Sequence, residues 1–192
     1  MPRVLTKKEC SVVESLKEAG ILINMESPEA KEVFGRPEEV QGFFCSDRHA
    51  DTIAHLRKVL GCNVLHPVDF YGGPLIFAKN YREHRTSDMD FVYGNIVDGM
   101  ELKKLQHLYV GFHAPCGKAD KYGHSIIDVV SWIPEVMSHF IEGDFFKNKE
   151  VGCIFQFQKE GKEDSRRQKS YLLDVQILTT FIEKGGLKKT EY

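Results

Sequence analysis

The sequence predicts an α/β fold: a mostly parallel central sheet with an antiparallel edge, flanked by helices. Short apolar runs of strand length alternate with longer segments of helical apolar spacing, which is the pattern of parallel strands joined by crossover helices. Two more apolar runs near the C-terminus, residues 151–157 and 171–178, bracket a charged segment. That segment could turn a hairpin and supply the antiparallel edge. A length of 192 residues suits one domain with a full core, read here as 1–192 with an N-terminal helical arm over about 1–35.

Each element has a local reason. Thr6 followed by Glu9 is a capping-box pattern, and Val12, Val13 and Leu16 give the helix behind it one apolar face before Gly20. Residues 21–35 carry no clear period. Val40-Gln41-Gly42-Phe43-Phe44 reads as a buried strand. Ile53, Leu56 and Leu60 share a helix face, with Asp51 as a cap and Gly61 as the stop. Asn63-Val64-Leu65 reads as the next strand, entering a loop with Pro67, Gly72, Gly73 and Pro74 and then a short apolar run over 75–78. A helix over 96–105 leads to the strand Leu108-Tyr109-Val110-Gly111-Phe112. After a polar loop over 118–123, a helix over 125–140 carries Ile126, Val129, Val130, Ile133 and Val136/Met137 on one face. Pro134 should kink or divide it.

Composition narrows the function classes. Apolar content of 42%, charged content of 28% and a net charge of −2 describe an ordinary soluble domain and argue against a general nucleic-acid binder. Arg166, Arg167 and Lys169 are offset by Glu160, Glu163 and Asp164, so that stretch reads as a solvated turn. No run approaches the ~20 apolar residues of a membrane span, and the N-terminus has no apolar signal core. A cytoplasmic protein without membrane or nucleic-acid partners is the expectation. Five cysteines in a chain of this length fit reduced thiols or metal ligands better than a disulfide framework.

Two segments carry the chemistry: Cys45-Ser46-Asp47-Arg48 and His113-Ala114-Pro115-Cys116-Gly117. Each follows an apolar strand, and strand ends of an open parallel sheet are where ligands gather. His113 and Cys116 lie three apart at a strand-to-helix turn, and Cys45 can reach them from a neighbouring strand. Two thiolates and an imidazole favour zinc over magnesium or calcium, and three protein ligands leave a fourth position open, as in catalytic sites. Asp47 could bind the metal as a fourth ligand, or stand off and accept a hydrogen bond from a metal-bound water. Two thiolates offset the ionic charge, so activity should favour mildly alkaline pH. A nucleophilic Cys116 at a helix start is the metal-free alternative.

These segments resemble the β-class carbonic anhydrases, which carry Cys-x-Asp-x-Arg after a first core strand and His-x-x-Cys-Gly after a later one. The similarity covers roughly residues 38–160, including the lead-in Leu108-Tyr109-Val110-Gly111-Phe112-His113. The resemblance implies a zinc-binding α/β domain with Cys45, His113 and Cys116 as ligands, and a homodimer or higher homo-oligomer. It implies a small-molecule substrate: carbon dioxide is hydrated reversibly to bicarbonate by a metal-bound hydroxide. Where the family places an Arg to hold the Asp off the metal, this chain has His49, with Arg48 one place earlier. Asp47, Arg48 and His49 are therefore the candidate catalytic set, with either cation able to pair with Asp47. The segment Leu65-His66-Pro67-Val68-Asp69-Phe70-Tyr71-Gly72-Gly73 replaces the family's Arg-Asn-Ala-Gly-like stretch. A zinc hydrolase of carbonyl sulfide or carbon disulfide, and an inactive zinc-stabilised binding protein, are the alternatives.

His49, His55, His66 and His124 are candidate proton carriers, with His55 read as a surface residue. Cys10, Cys62 and Cys153 have no partner at ligand spacing and read as structural. Phe43, Phe44 and Phe112 read as core, Gly72-Gly73 as a plain turn, and Trp132 as core or interface. Zinc deaminases are set aside because position 119 is Ala where their second Cys stands, and cysteine phosphatases because no Arg closes a loop after Cys116.

Overall fold

The structure is a computed structural model describing residues 4–30, 37–46, 49–158 and 168–187, the side chains of 49–52, 158 and 168 excepted. A six-stranded sheet forms its centre: β1 (Leu22–Asn24), β2 (Glu39–Cys45), β3 (Val64–Phe70), β4 (His107–Ala114), β5 (Glu150–Gln158) and β6 (Gln168–Leu173). Their order across the sheet is β1-β6-β5-β4-β2-β3. β3, β2, β4 and β5 run parallel, and β6 and β1 add antiparallel pairs. The α/β fold with a mostly parallel sheet and an antiparallel edge is as the sequence implied.

This order places a switch point. From β2 the chain crosses to β3 on one side, and from β4 it continues to β5 on the other. The crevice between the carboxyl ends of β2 and β4 is the position where open sheets collect ligands. The register Phe43↔Val110 puts Cys45 two residues, and His113 three residues, beyond the same rung.

Helices α1 (Lys7–Glu18), α2 (His49–Leu60), α3 (Thr86–Leu102), α4 (Gly117–Lys121), α5 (Ile126–Ile141) and α6 (Val175–Glu183) surround the sheet. The large core joins one sheet face, through Phe43, Val110 and Phe112, to Leu16, Ile96, Val130, Ile133 and Leu178 of the helices. A smaller cluster packs Val40, Phe44 and Tyr109 against Leu56 and Leu60 of α2. Phe43 and Phe44 fall in different clusters because successive strand side chains alternate faces. Phe43, Phe44 and Phe112 are core, as read, and Trp132 is buried.

Several elements differ from the sequence reading. Residues 171–178 are not one strand: β6 ends at Leu173, and Asp174 caps α6 by accepting hydrogen bonds from the Gln176 and Ile177 amides. The outermost antiparallel strand is β1, drawn from the segment without a period, so the N-terminal arm also contributes to the sheet. Pro134 sits inside one continuous helix and does not divide it. The helix expected over 96–105 begins at Thr86, and the apolar run 75–78 belongs to a 3₁₀ turn, Gly73–Phe77. β3 runs on through Pro67 to Phe70, which a sheet-edge strand permits because one of its sides has no ladder to complete. The capping boxes Thr6–Glu9 and Ser125–Asp128 are both formed.

Candidate metal centre

Cys45 closes β2, whose residues from Val40 onward are buried. Across the switch point, β4 delivers His113, and Cys116 precedes the short helix α4. The Ala114–Pro115 peptide between them is cis. One donor atom from each of Cys45, His113 and Cys116 lies within 4.8 Å of the other two. Donors of a tetrahedral ion bound at about 2.0–2.3 Å stand about 3.3–3.8 Å apart, so small side-chain adjustments bring the set to bonding distance. These three residues could hold a metal ion.

The histidine is prepared for that role. Its Nδ1–H donates to the Pro115 carbonyl at 3.0 Å, and a carbonyl can only accept. This bond fixes the tautomer and leaves the lone pair on Nε2. His113 Nε2 is buried and has no hydrogen-bond partner among the described residues. A buried polar atom without a partner is costly in a folded protein, and an ion between it and the two thiols would complete it.

The thiols are prepared as well. A hydrogen bond from Cys45 holds the Cys116 thiol well below the ordinary thiol range; burial opposes this, and His113 reinforces it. Folding therefore favours the Cys116 thiolate. That contribution is complete above the ordinary thiol range and is lost as pH falls toward the depressed value. Cys153 shows the contrary case, a fully buried thiol pushed far up by desolvation alone. All five cysteines are free thiols, as expected.

The loop after β3 shapes this end of the sheet. Gly73, at φ +52°, presses on β2 so closely that a Cβ there would lie 2.6 Å from the Cys45 amide nitrogen. Phe77, at the end of the same turn, packs against Phe43 and Phe140 with ring centroids 5.8 and 5.0 Å away. Those contacts clamp the turn between β2 and α5 and hold it over Cys45. Gly72-Gly73 is thus more than a plain turn. Its signal in the sequence was the glycine pair itself, where backbones approach too closely for any side chain.

Asp47 and Arg48 lie outside the described residues, as does the His49 side chain, although His49 opens α2. His66 stands opposite Gln41, four residues back from Cys45, with Nε2 3.0 Å from a Glu39 carboxylate oxygen. His55 is half-buried rather than a surface residue; its Nε2 is enclosed, and desolvation lowers its pKa. His124 packs its ring against Trp132 and Tyr81, with centroids 4.8 and 5.8 Å away. Tyr81 did not stand out in the sequence, because no motif surrounds it.

No protein-family model matches the chain, and a search of curated proteins finds no match. Among the described residues, no helix is long and apolar enough to cross a membrane.

Proposed function

We propose that the chain binds one zinc ion through Cys45 Sγ, His113 Nε2 and Cys116 Sγ and catalyses the reversible hydration of carbon dioxide to bicarbonate. The observation that carries this reading is the unpartnered, buried His113 Nε2 beside two convergent thiols at the switch point of a parallel sheet. Thiolate and imidazole donors favour zinc over harder cations, and three protein ligands leave room for an exchangeable fourth. Bound there, zinc would supply Lewis-acid activation of water, which two thiolate ligands would set at mildly alkaline rather than neutral pH.

The chain's own residues do the rest. The Pro115 carbonyl orients the imidazole, and in the metal-free chain the Cys45 hydrogen bond favours the Cys116 thiolate, readying it for the ion. Cys45 and Cys116 are 5% and 4% exposed, so both sulfurs lie out of bulk water. Asp47 is proposed as the acceptor that orients the reacting water, with Arg48 or His49 as its partner. The proposed unit is a homodimer or higher homo-oligomer, which sedimentation of the zinc-loaded protein would test.

Zinc uptake at about pH 7.5 should release about one proton per ion from the Cys45–Cys116 pair, where two ordinary thiols of pKa about 8.5 would release nearly two. A pH-indicator titration reads this directly, and a value near two would show that Cys116 is an ordinary thiol.

The functional test is stopped-flow carbon dioxide hydration by zinc-replete protein. The rate should rise toward mildly alkaline pH, because two thiolates offset the ionic charge, and should drop on the order of a hundredfold in Asp47→Ala. A zinc-replete protein that never exceeds the uncatalysed rate, from acidic to alkaline pH, would reduce the site to a structural one.

A further inference from the structure

We propose that the Tyr81 hydroxyl is the hydrogen-bond donor that holds the exchangeable ligand at the fourth position of the Cys45–His113–Cys116 centre, favouring small anions that accept a hydrogen bond. This rests on the metal-binding reading above and assigns a residue that neither ligand motif contains.

Tyr81 is 2% exposed, yet its hydroxyl has no hydrogen-bond partner among the described residues. Buried phenols nearly always find one. Its place in the fold suggests what is missing. A Cβ on Gly72 would lie 2.7 Å from the Tyr81 oxygen and 3.5 Å from Lys118 Cγ. Gly72 adjoins Gly73, which presses on the Cys45 backbone, and Lys118 stands two residues after Cys116. The hydroxyl therefore lies against Gly72, next to the turn that presses on Cys45 and within reach of the segment that follows Cys116, and only a glycine at position 72 leaves it that space.

The ring cannot swing away easily. Tyr122 and Trp132 meet it edge-on, each with a centroid 6.3 Å away, and His124 closes a third side at 5.8 Å. Outside this wall, Tyr122 donates to Glu83, and Lys118 bridges to the same carboxylate at 2.8 Å. A donor fixed this way needs little reorganisation when a ligand arrives. Burial first, then the charge of Glu83, pushes the phenol's ionisation up, and a phenol near neutral pH is a donor in any case. Two sulfurs that gain negative charge would repel an anion, and a neutral hydroxyl donor beside the centre would offset that repulsion without adding a cation.

The test compares wild type with Tyr81→Phe as cobalt(II)-substituted proteins titrated with azide and followed in the visible spectrum. Both should bind about one cobalt per chain with the same thiolate-to-cobalt band. Azide affinity should fall about tenfold in the variant, the size of one charge-assisted hydrogen bond. Metal-free Tyr81→Phe should melt at or above the wild-type temperature, because it removes a hydroxyl that has no partner there. Unchanged azide affinity in a cobalt-loaded variant overturns the Tyr81 assignment alone. A metal-free variant that melts clearly lower overturns it too, since the hydroxyl would then serve the fold. Absence of the thiolate-to-cobalt band in wild type defeats the metal-binding reading itself.

Discussion

In Cys116→Ser, zinc affinity is expected to fall about a thousandfold, so that dialysed protein retains almost no metal and carbon dioxide hydration drops to the uncatalysed rate. Serine conserves the shape of the side chain but not its chemistry. Its hydroxyl does not ionise near neutral pH, so the site loses the anionic donor that the Cys45 hydrogen bond favours in the metal-free chain. The loss extends to the neighbours. Cys45 keeps a donor but faces a weaker acceptor, and His113 Nε2 remains buried without a partner. Cys153→Ser is the matched control. That residue is 2% exposed and far from ligand geometry, and burial alone governs its thiol. It should cost about 1–2 kcal/mol of stability, from burying an imperfectly paired hydroxyl, and leave metal content unchanged. Metal analysis after dialysis, paired with urea unfolding, separates the two substitutions. Equal metal in both variants would disprove the proposed ligand set.

The strength of that expectation reflects what could be read from the chain. Cys45, His113 and Cys116 were legible because each lies at or just past the end of an apolar run, and strand ends of a parallel sheet face one side together. What the runs could not state was adjacency. β4 follows β3 in the chain yet pairs with β2, and that pairing alone brings Cys45 to His113. Other elements were hidden for identifiable reasons. Asp174 interrupts the apolar run over 171–178, and it marks the exchange of a strand for a helix; hydrophobicity on both sides masked the cap. The helix Thr86–Leu102 starts behind Arg85, which makes no side-chain cap, so only Val92, Ile96 and Met100 reveal its buried face. Tyr81 was not legible, because its burial arises from Tyr122, His124 and Trp132, all more than forty residues further along.

Gly73→Ala should have a large effect for a single methyl group, and it should reach the metal. The added Cβ would meet the Cys45 nitrogen at 2.6 Å, its Cα at 2.8 Å and the Phe44 carbonyl carbon at 2.9 Å. All three are backbone atoms, so no rotamer change relieves the contact. Alanine also pays about 1–2 kcal/mol to adopt a left-handed φ. Either the 3₁₀ turn lifts, breaking the Phe77 contacts with Phe43 and Phe140, or the end of β2 shifts and carries Cys45 with it. A stability loss of about 3–4 kcal/mol is expected, with zinc affinity down at least about tenfold, since a displacement near 1 Å spoils ligand geometry. Gly143→Ala provides the comparison. Its Cβ would meet a backbone atom as closely, the His139 carbonyl oxygen at 2.7 Å, but at a negative φ. It lies beyond the C-terminal end of the 16-residue α5, roughly 24 Å along that helix from the end next to His124. It should cost stability, about 1–3 kcal/mol, and leave zinc affinity within about threefold of wild type. Urea unfolding and competition with a chromophoric chelator measure both quantities on both variants. If Gly73→Ala loses stability yet binds zinc as tightly as Gly143→Ala, the turn supports the fold without setting the position of Cys45.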